Sequence, residues 1–255
     1  YNYWTIFRIA KEQSKPYKTA IYSSWTDNRT VLLGEGKPET NYLKIDFICD
    51  GYDLDTLRFP KKEKDLRIFD IDEYVTEQAA KGIRQDAADL SWVYLWYTDD
   101  AGHIEGNGRF FDDYTQKADA QIGKIWDAVK YREANFNEDW MIVVTTDHGR
   151  GENGHGHGGQ SKRERTTWIS TNQPVNERFN TEGLAIVDIT PSICRFMEFN
   201  IPQQVRWEQD GIPFIGQVDI TQMGTSPYDD SVTLSWNCLN PDAMVDIYVS
   251  SIVFL

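Results

Sequence analysis

The chain has 255 residues, 40% of them apolar and 13% aromatic with nine tryptophans, which excludes a disordered chain and supplies a sizeable core. Forty acidic against 26 basic residues give a formal charge of −14. Such a surface repels phosphate backbones and argues against nucleic-acid duplex binding. No apolar run approaches the roughly 18 residues of a membrane-spanning helix. Three widely spaced cysteines, Cys49, Cys194 and Cys238, form no Cys-x-x-Cys metal pair.

In chain order, Thr19–Ser24 and Leu43–Cys49 read as strands, separated by the polar loop Gly34-Glu35-Gly36-Lys37-Pro38. Lys61–Asp65 reads as a solvated charged loop. From Asp72 to Ala88 the pattern is helical, with Val75, Ala79 and Ile83 at four-residue steps. Trp92–Tyr97 is a run of large β-formers, expected as a strand buried on both faces. A polar segment follows, Asp99-Asp100-Ala101-Gly102-His103. Then Tyr114, Ala118, Ile122, Ile125 and Val129 mark one face of a long helix.

Met141–Val144 is another short strand, ending in Thr146-Asp147-His148-Gly149 and a glycine-rich loop through Gly159. Thr190-Pro191 opens a further helix. Strands alternating with helices predict an α/β fold, a three-layer αβα with a mostly parallel central sheet. After Gly224-Thr225-Ser226-Pro227 the texture becomes antiparallel β, with Val232, Leu234 and Trp236, then Val245, Ile247 and Val249, alternating with polar residues. The chain thus divides into an α/β domain at 1–220 and the start of a β-sandwich-like module at 228–255. With Tyr1 first and apolar Ile252-Val253-Phe254-Leu255 last, and no leader, it reads as an internal fragment.

Ligands of parallel α/β sheets collect at the carboxyl ends of strands. Both polar bursts are expected there. They hold all four histidines, His103, His148, His155 and His157, together with Asp99, Asp100 and Asp147. Neutral imidazole with carboxylate is the ligand set of zinc and related divalent ions. Hydrogen-bonded loop residues beside glycine turns are the alternative.

Four segments in this order resemble the alkaline phosphatase superfamily, and within it the type I phosphodiesterase and nucleotide pyrophosphatase branch. They are Tyr97-Thr98-Asp99-Asp100-Ala101-Gly102-His103, Thr145-Thr146-Asp147-His148-Gly149, Gly156-His157-Gly158-Gly159, and Asp188-Ile189-Thr190-Pro191-Ser192 with Ile201-Pro202 and Asp210-Gly211 beyond. Together they span about residues 1–217. The resemblance implies two Zn²⁺ ions, one held by Asp99, His103 and His157, the other by Asp147 and His148 with an Asp and a Thr or Ser nucleophile from an earlier segment. That segment is expected to lie outside the fragment, leaving the fragment inactive. Asp50 follows the strand it would have to precede, and Thr56 reads as a loop residue. The four-residue step to His103 favours Asp99 over Asp100, and the following Gly158-Gly159 favours His157 over His155; both pairs stay open. Lys162, Arg163 and Arg165 could meet an anionic substrate, but surface ion pairs are the favoured expectation.

The implied activity is zinc-dependent hydrolysis of phosphodiester or nucleotide pyrophosphate bonds in a phosphorylated small molecule, in an extracellular or periplasmic protein. A sulfatase of the same fold is the rival, disfavoured because Asp-His-Gly supplies imidazole where sulfatases present Asp-Asn to calcium. A phosphomutase needs an inserted domain with no room between Trp25 and Asp99. A non-catalytic metal-binding relative is the remaining alternative.

Overall fold

A computed structural model describes residues 3–249. Helix α1 (Ile6–Lys11) begins where the Thr5 hydroxyl accepts the Arg8 amide, satisfying one of the N–H groups a helix start leaves free. Strand β1 (Thr19–Ser23) follows, then β2 (Phe47–Cys49), α2 (Leu66–Gln85), β3 (Leu90–Tyr94), α3 (Tyr97–Glu105) and α4 (Arg109–Phe136). The three strands form one parallel sheet in the order β2-β1-β3, with Ile21 opposite both Ile48 and Trp92.

All five residues of β1 are buried, because its side chains alternate between two faces that both carry helices. Ala20 and Tyr22 enter one core with Ile68, Ile71, Val75, Ala79 and Ile83 of α2 and Ile125, Ala128 and Val129 of α4. Ile21 enters the other, with Phe7, Ile9 and Ala10 of α1 and, from late in the chain, Cys194 and Val205. Two cores on two faces make the predicted three-layer αβα arrangement. Burying each large aliphatic side chain contributes about 1.5–3 kcal/mol, so these stripes hold the fold. At Gly82 of α2 a Cβ would lie 1.9 Å from the Tyr22 hydroxyl, so this position has room only for hydrogen.

Several element boundaries differ from the sequence reading. The β2 ladder covers only Phe47–Cys49, since Asp46 takes the Thr19 amide on its carboxylate, 2.6 Å away. Helix α2 starts earlier, at Leu66, and stops at Gln85, before the left-handed Ala87 (φ 46°). Strand β3 is Leu90–Tyr94 rather than Trp92–Tyr97, and the polar segment around Asp99 is helix α3. The cause is Asp72, whose buried carboxylate accepts the Trp96 amide at 2.9 Å and the Tyr97 amide at 2.8 Å. A side chain from α2 thereby caps the start of α3. Burial pushes the Asp72 carboxyl up to about 7 despite these bonds.

Strand β4 (Val143–Thr145) is only half-buried and pairs antiparallel with β5 (Ile169–Thr171) as a separate two-stranded sheet. Asn172 extends that pairing through its side chain, accepting the Ile142 amide and donating to the Trp140 carbonyl. Helices α5 (Glu177–Thr181), α6 (Ile189–Phe196) and α7 (Gln203–Trp207) follow. Buried Asp188 fixes this region by accepting from Arg178, Ala185 and Ile212.

The chain then forms an antiparallel hairpin, β6 (Ile220–Tyr228) and β7 (Ser231–Cys238), turning at left-handed Asp229. Its first strand occupies the stretch between the two sequence-derived divisions at 220 and 228. Val245, Ile247 and Val249, expected to alternate in a strand, carry no regular structure. Ile252–Leu255 lie outside the described residues. Among the described residues, no helix is long and apolar enough to cross a membrane.

Candidate metal centre

Helix α3 starts just past the carboxyl end of β3, so Asp99 and His103 fall one turn apart on the same face. His103 Nε2 lies 3.3 Å from Asp99 Oδ2. The second contribution follows β4. There His148 Nδ1 donates to the Gly149 carbonyl at 2.8 Å, which leaves Nε2 as the free ring nitrogen. Gly149 passes so close to the Arg163 carbonyl that a Cβ would sit 2.0 Å from that oxygen. The glycine-rich loop then folds back, with Gly151 N–H on the Gly156 carbonyl at 2.7 Å, and delivers His157.

His157 Nε2 stands 3.0 Å from His103 Nε2 and 3.5 Å from Asp99 Oδ1. His148 Nε2 stands 3.9 Å from the same Asp99 oxygen, and its ring stacks on His157 with centroids 3.9 Å apart. Ligand atoms of Asp99, His148 and His157 all lie within 4.8 Å of one another. Tetrahedral zinc with bonds of about 2.0–2.2 Å sets its ligand atoms roughly 3.3–3.6 Å apart. The observed spacings bracket that value, and the donor chemistry suits a divalent ion, so these residues fit a metal.

The grouping differs in detail from the two sets suggested by resemblance. His148 lies against Asp99 and His157, while Asp147 sits at the rim, its side chain 67% exposed and Oδ1 3.8 Å from His148 Nε2. Asp100 points the other way, into a cavity of about 530 Å³ lined by Lys61, Lys62, Lys64, Asp65, Arg67 and Ile104. Its Oδ2 is buried without a hydrogen-bond partner, and burial, then Asp65 and Asp99, push its carboxyl up to about 6. Lys61–Asp65 are all exposed, as expected of a solvated charged loop, and four of them line the rim of this cavity. His155 turns its Nδ1 to the His103 carbonyl, 3.1 Å away, and packs on Gly106.

Asp50 is engaged by both arms of Arg29, at 2.6 and 3.1 Å, and Thr56 is an exposed turn residue. Arg163 corrects another expectation. It bonds the Glu152 carbonyl and the Asn107 side chain, and Arg165 bonds the Gln160 carbonyl. These cations satisfy loop acceptors, and among the described residues no ion pair forms at Lys162, Arg163 or Arg165.

One participant was not legible beforehand: Arg150 ion-pairs with Asp99 Oδ1. The only sequence signal for Arg150 is its place directly after Asp147-His148-Gly149. Nothing in that position tells which way the side chain turns.

A parallel sheet between helices, with carboxylate and imidazole gathered past its strand ends, defines an α/β protein with a candidate metal centre. The profile of the type I phosphodiesterase / nucleotide pyrophosphatase family matches residues 9–195, which include every residue of this centre, and the chain belongs to that family. This is the branch of the alkaline phosphatase superfamily that the motifs resemble. The family hydrolyses phosphodiester or pyrophosphate bonds of phosphorylated small molecules and is metal-dependent. Comparison with curated proteins gives no match.

Proposed function

We propose that the protein is a zinc-dependent hydrolase of phosphodiester or nucleotide pyrophosphate bonds, with two zinc ions served by Asp99, His103 and His157 and by Asp147 and His148. The observation that carries this reading is the convergence of Asp99, His103, His148 and His157, from two separate strand ends, with contacts of 3.0–3.9 Å. A divalent ion bound there polarises a phosphoryl oxygen and lowers the pKa of an oxygen nucleophile.

The chain's own residues prepare the site. The Asp99 and Asp147 carboxylates supply the negative charge that retains a dication. The Gly149 carbonyl holds the His148 ring in one tautomer, with Nε2 presented inward. His103 and His157 face each other at 3.0 Å, so that without a cation one ring must donate to the other. Both nitrogens are already aimed at the point where a ligand lone pair is needed.

The nucleophile is proposed to be a Thr or Ser outside these 255 residues. In support, no serine or threonine hydroxyl among the described residues bonds a side chain of the cluster. Thr146, two residues before His148, donates to the His148 backbone carbonyl. On this reading the 255 residues alone are inactive, and the whole protein works outside the cytoplasm, in an extracellular or periplasmic setting.

The test is hydrolysis of bis(p-nitrophenyl) phosphate and of a p-nitrophenyl nucleotide by the full-length protein. Activity is expected to vanish with a chelator and to return with zinc. Turnover of p-nitrophenyl sulfate instead would favour the sulfatase. A chain that binds zinc but turns over none of these substrates would be the non-catalytic relative.

A further inference from the structure

Arg150 joins all three segments that carry the cluster. It lies two residues beyond His148, and its Nη1 donates to Asp99 Oδ1 on α3. Its Nε donates to the Gly154 carbonyl at 2.5 Å and its Nη2 to the His155 carbonyl at 3.2 Å, both just ahead of His157. The side chain is only 11% exposed. It rests on Gly102, where a Cβ would lie 2.4 Å from Nε, so the helix face beneath the guanidinium must be bare.

We propose that Arg150 is a positioning residue for the metal centre: its guanidinium locks the Asp99 carboxylate and the glycine-rich loop at the spacing at which Asp99, His103 and His157 share one ion. This rests on the metal reading above. Three donors of one rigid plane reach three acceptors on two segments, a geometry that a lysine ammonium on a flexible stem does not reproduce. Two of the acceptors are backbone carbonyls of the loop, so the guanidinium stays anchored whichever lone pair of Asp99 faces an ion. Outer-shell partners that orient metal ligands typically change metal affinity by about 10–100-fold when removed.

The test titrates cobalt(II) into the dialysed chain and follows the visible ligand-field bands, with zinc affinity measured by competition against a chromophoric chelator. Arg150→Met keeps the aliphatic stem over Gly102, Arg150→Lys keeps the charge, and Gly102→Ala displaces the guanidinium without altering it. All three are expected to lose about 10–100-fold in affinity, with altered cobalt bands. Far-UV circular dichroism should remain native, because Arg150 belongs to neither apolar core. Gly102→Ala, which favours the helix, keeps the test available should Arg150→Met fail to fold.

Unchanged or tighter binding in Arg150→Met would make the guanidinium a competitor for Asp99 and overturn the proposal. So would full rescue by Arg150→Lys, or unaltered cobalt bands in Gly102→Ala. A wild-type chain that takes up no cobalt would remove the metal reading itself, an outcome distinct from a wild type that binds normally beside unaffected variants.

Discussion

Strand β1 and the glycine-rich loop stand at opposite extremes of the molecule. Every side chain of β1 is buried between helices, and its stability comes from apolar area removed from water, a term without direction. His157, by contrast, keeps 30% of its side chain exposed. A few directed contacts hold its loop: Gly151 on Gly156, Arg163 on Glu152 and Asn107, and Arg150 on Gly154 and His155. The lesson is a division of labour. Neither apolar core contains Asp99, His103, His148 or His157, so removing one of these side chains should leave the core folded.

The largest expected effect lies at the site. His148→Ala in the full-length protein should abolish phosphodiester hydrolysis while its melting temperature shifts little, since the ring is part-exposed beyond a strand end. Steady-state kinetics and a thermal melt on the same sample check both halves; a variant that unfolds breaks the comparison from the site side. Ile71→Ala is the mirror case. Ile71 is fully buried in α2, so its truncation should cost about 2–5 kcal/mol in urea unfolding, with zinc uptake retained by whatever fraction stays folded.

Asp72 joins the two regions, buried in the core while capping the helix that carries Asp99. Its folded pKa of about 7 lies above the ordinary 3.8, so between these values the native state holds a proton that the unfolded chain has released. Stability should therefore fall as pH rises from about 4 to about 7, by up to a few kcal/mol. Asp72→Asn keeps an acceptor for the capped amides and should flatten this slope. Urea midpoints at pH 4, 5.5 and 8, with chelator present, decide it; parallel slopes in the two proteins would contradict it. The smallest effect is expected in the exposed hairpin, where Trp236→Ser should change stability by no more than about 0.5 kcal/mol.

Much of the core was legible because periodicity reports burial directly. Val75, Ala79 and Ile83 marked α2, and the short run Thr19–Ser24 marked β1, which ends at Ser23. Helix α3 was not legible. Its sequence is polar and contains Gly102, and its cap comes from Asp72, 25 residues before Tyr97. That tertiary contact leaves no local signature. The orientation of β4 was hidden for a similar reason, since pairing with β5 depends on a strand more than twenty residues later.

In the candidate site, all four histidines fall in two strand-end segments, and the structure brings His103, His148 and His157 of these together beside Asp99. Spacing alone did not show that His148 would stack on His157, that Asp147 would lie at the rim, or that Arg150 would turn inward. Those outcomes depend on how the loop folds back. Close passages at Gly102 and Gly149 govern that path, and one-dimensional spacing does not encode it.

On the proposed reading α3, the segment after β4 and the glycine-rich loop together hold two metal ions, one through Asp99, His103 and His157 and one through Asp147 and His148. The most direct measurement is zinc content by elemental analysis, after exhaustive dialysis, of the wild-type chain beside His157→Ala and His155→Ala. The account predicts zinc in the wild type and in His155→Ala, with a sharp loss in His157→Ala. A metal-free wild type, or zinc kept by His157→Ala and lost by His155→Ala, would contradict it.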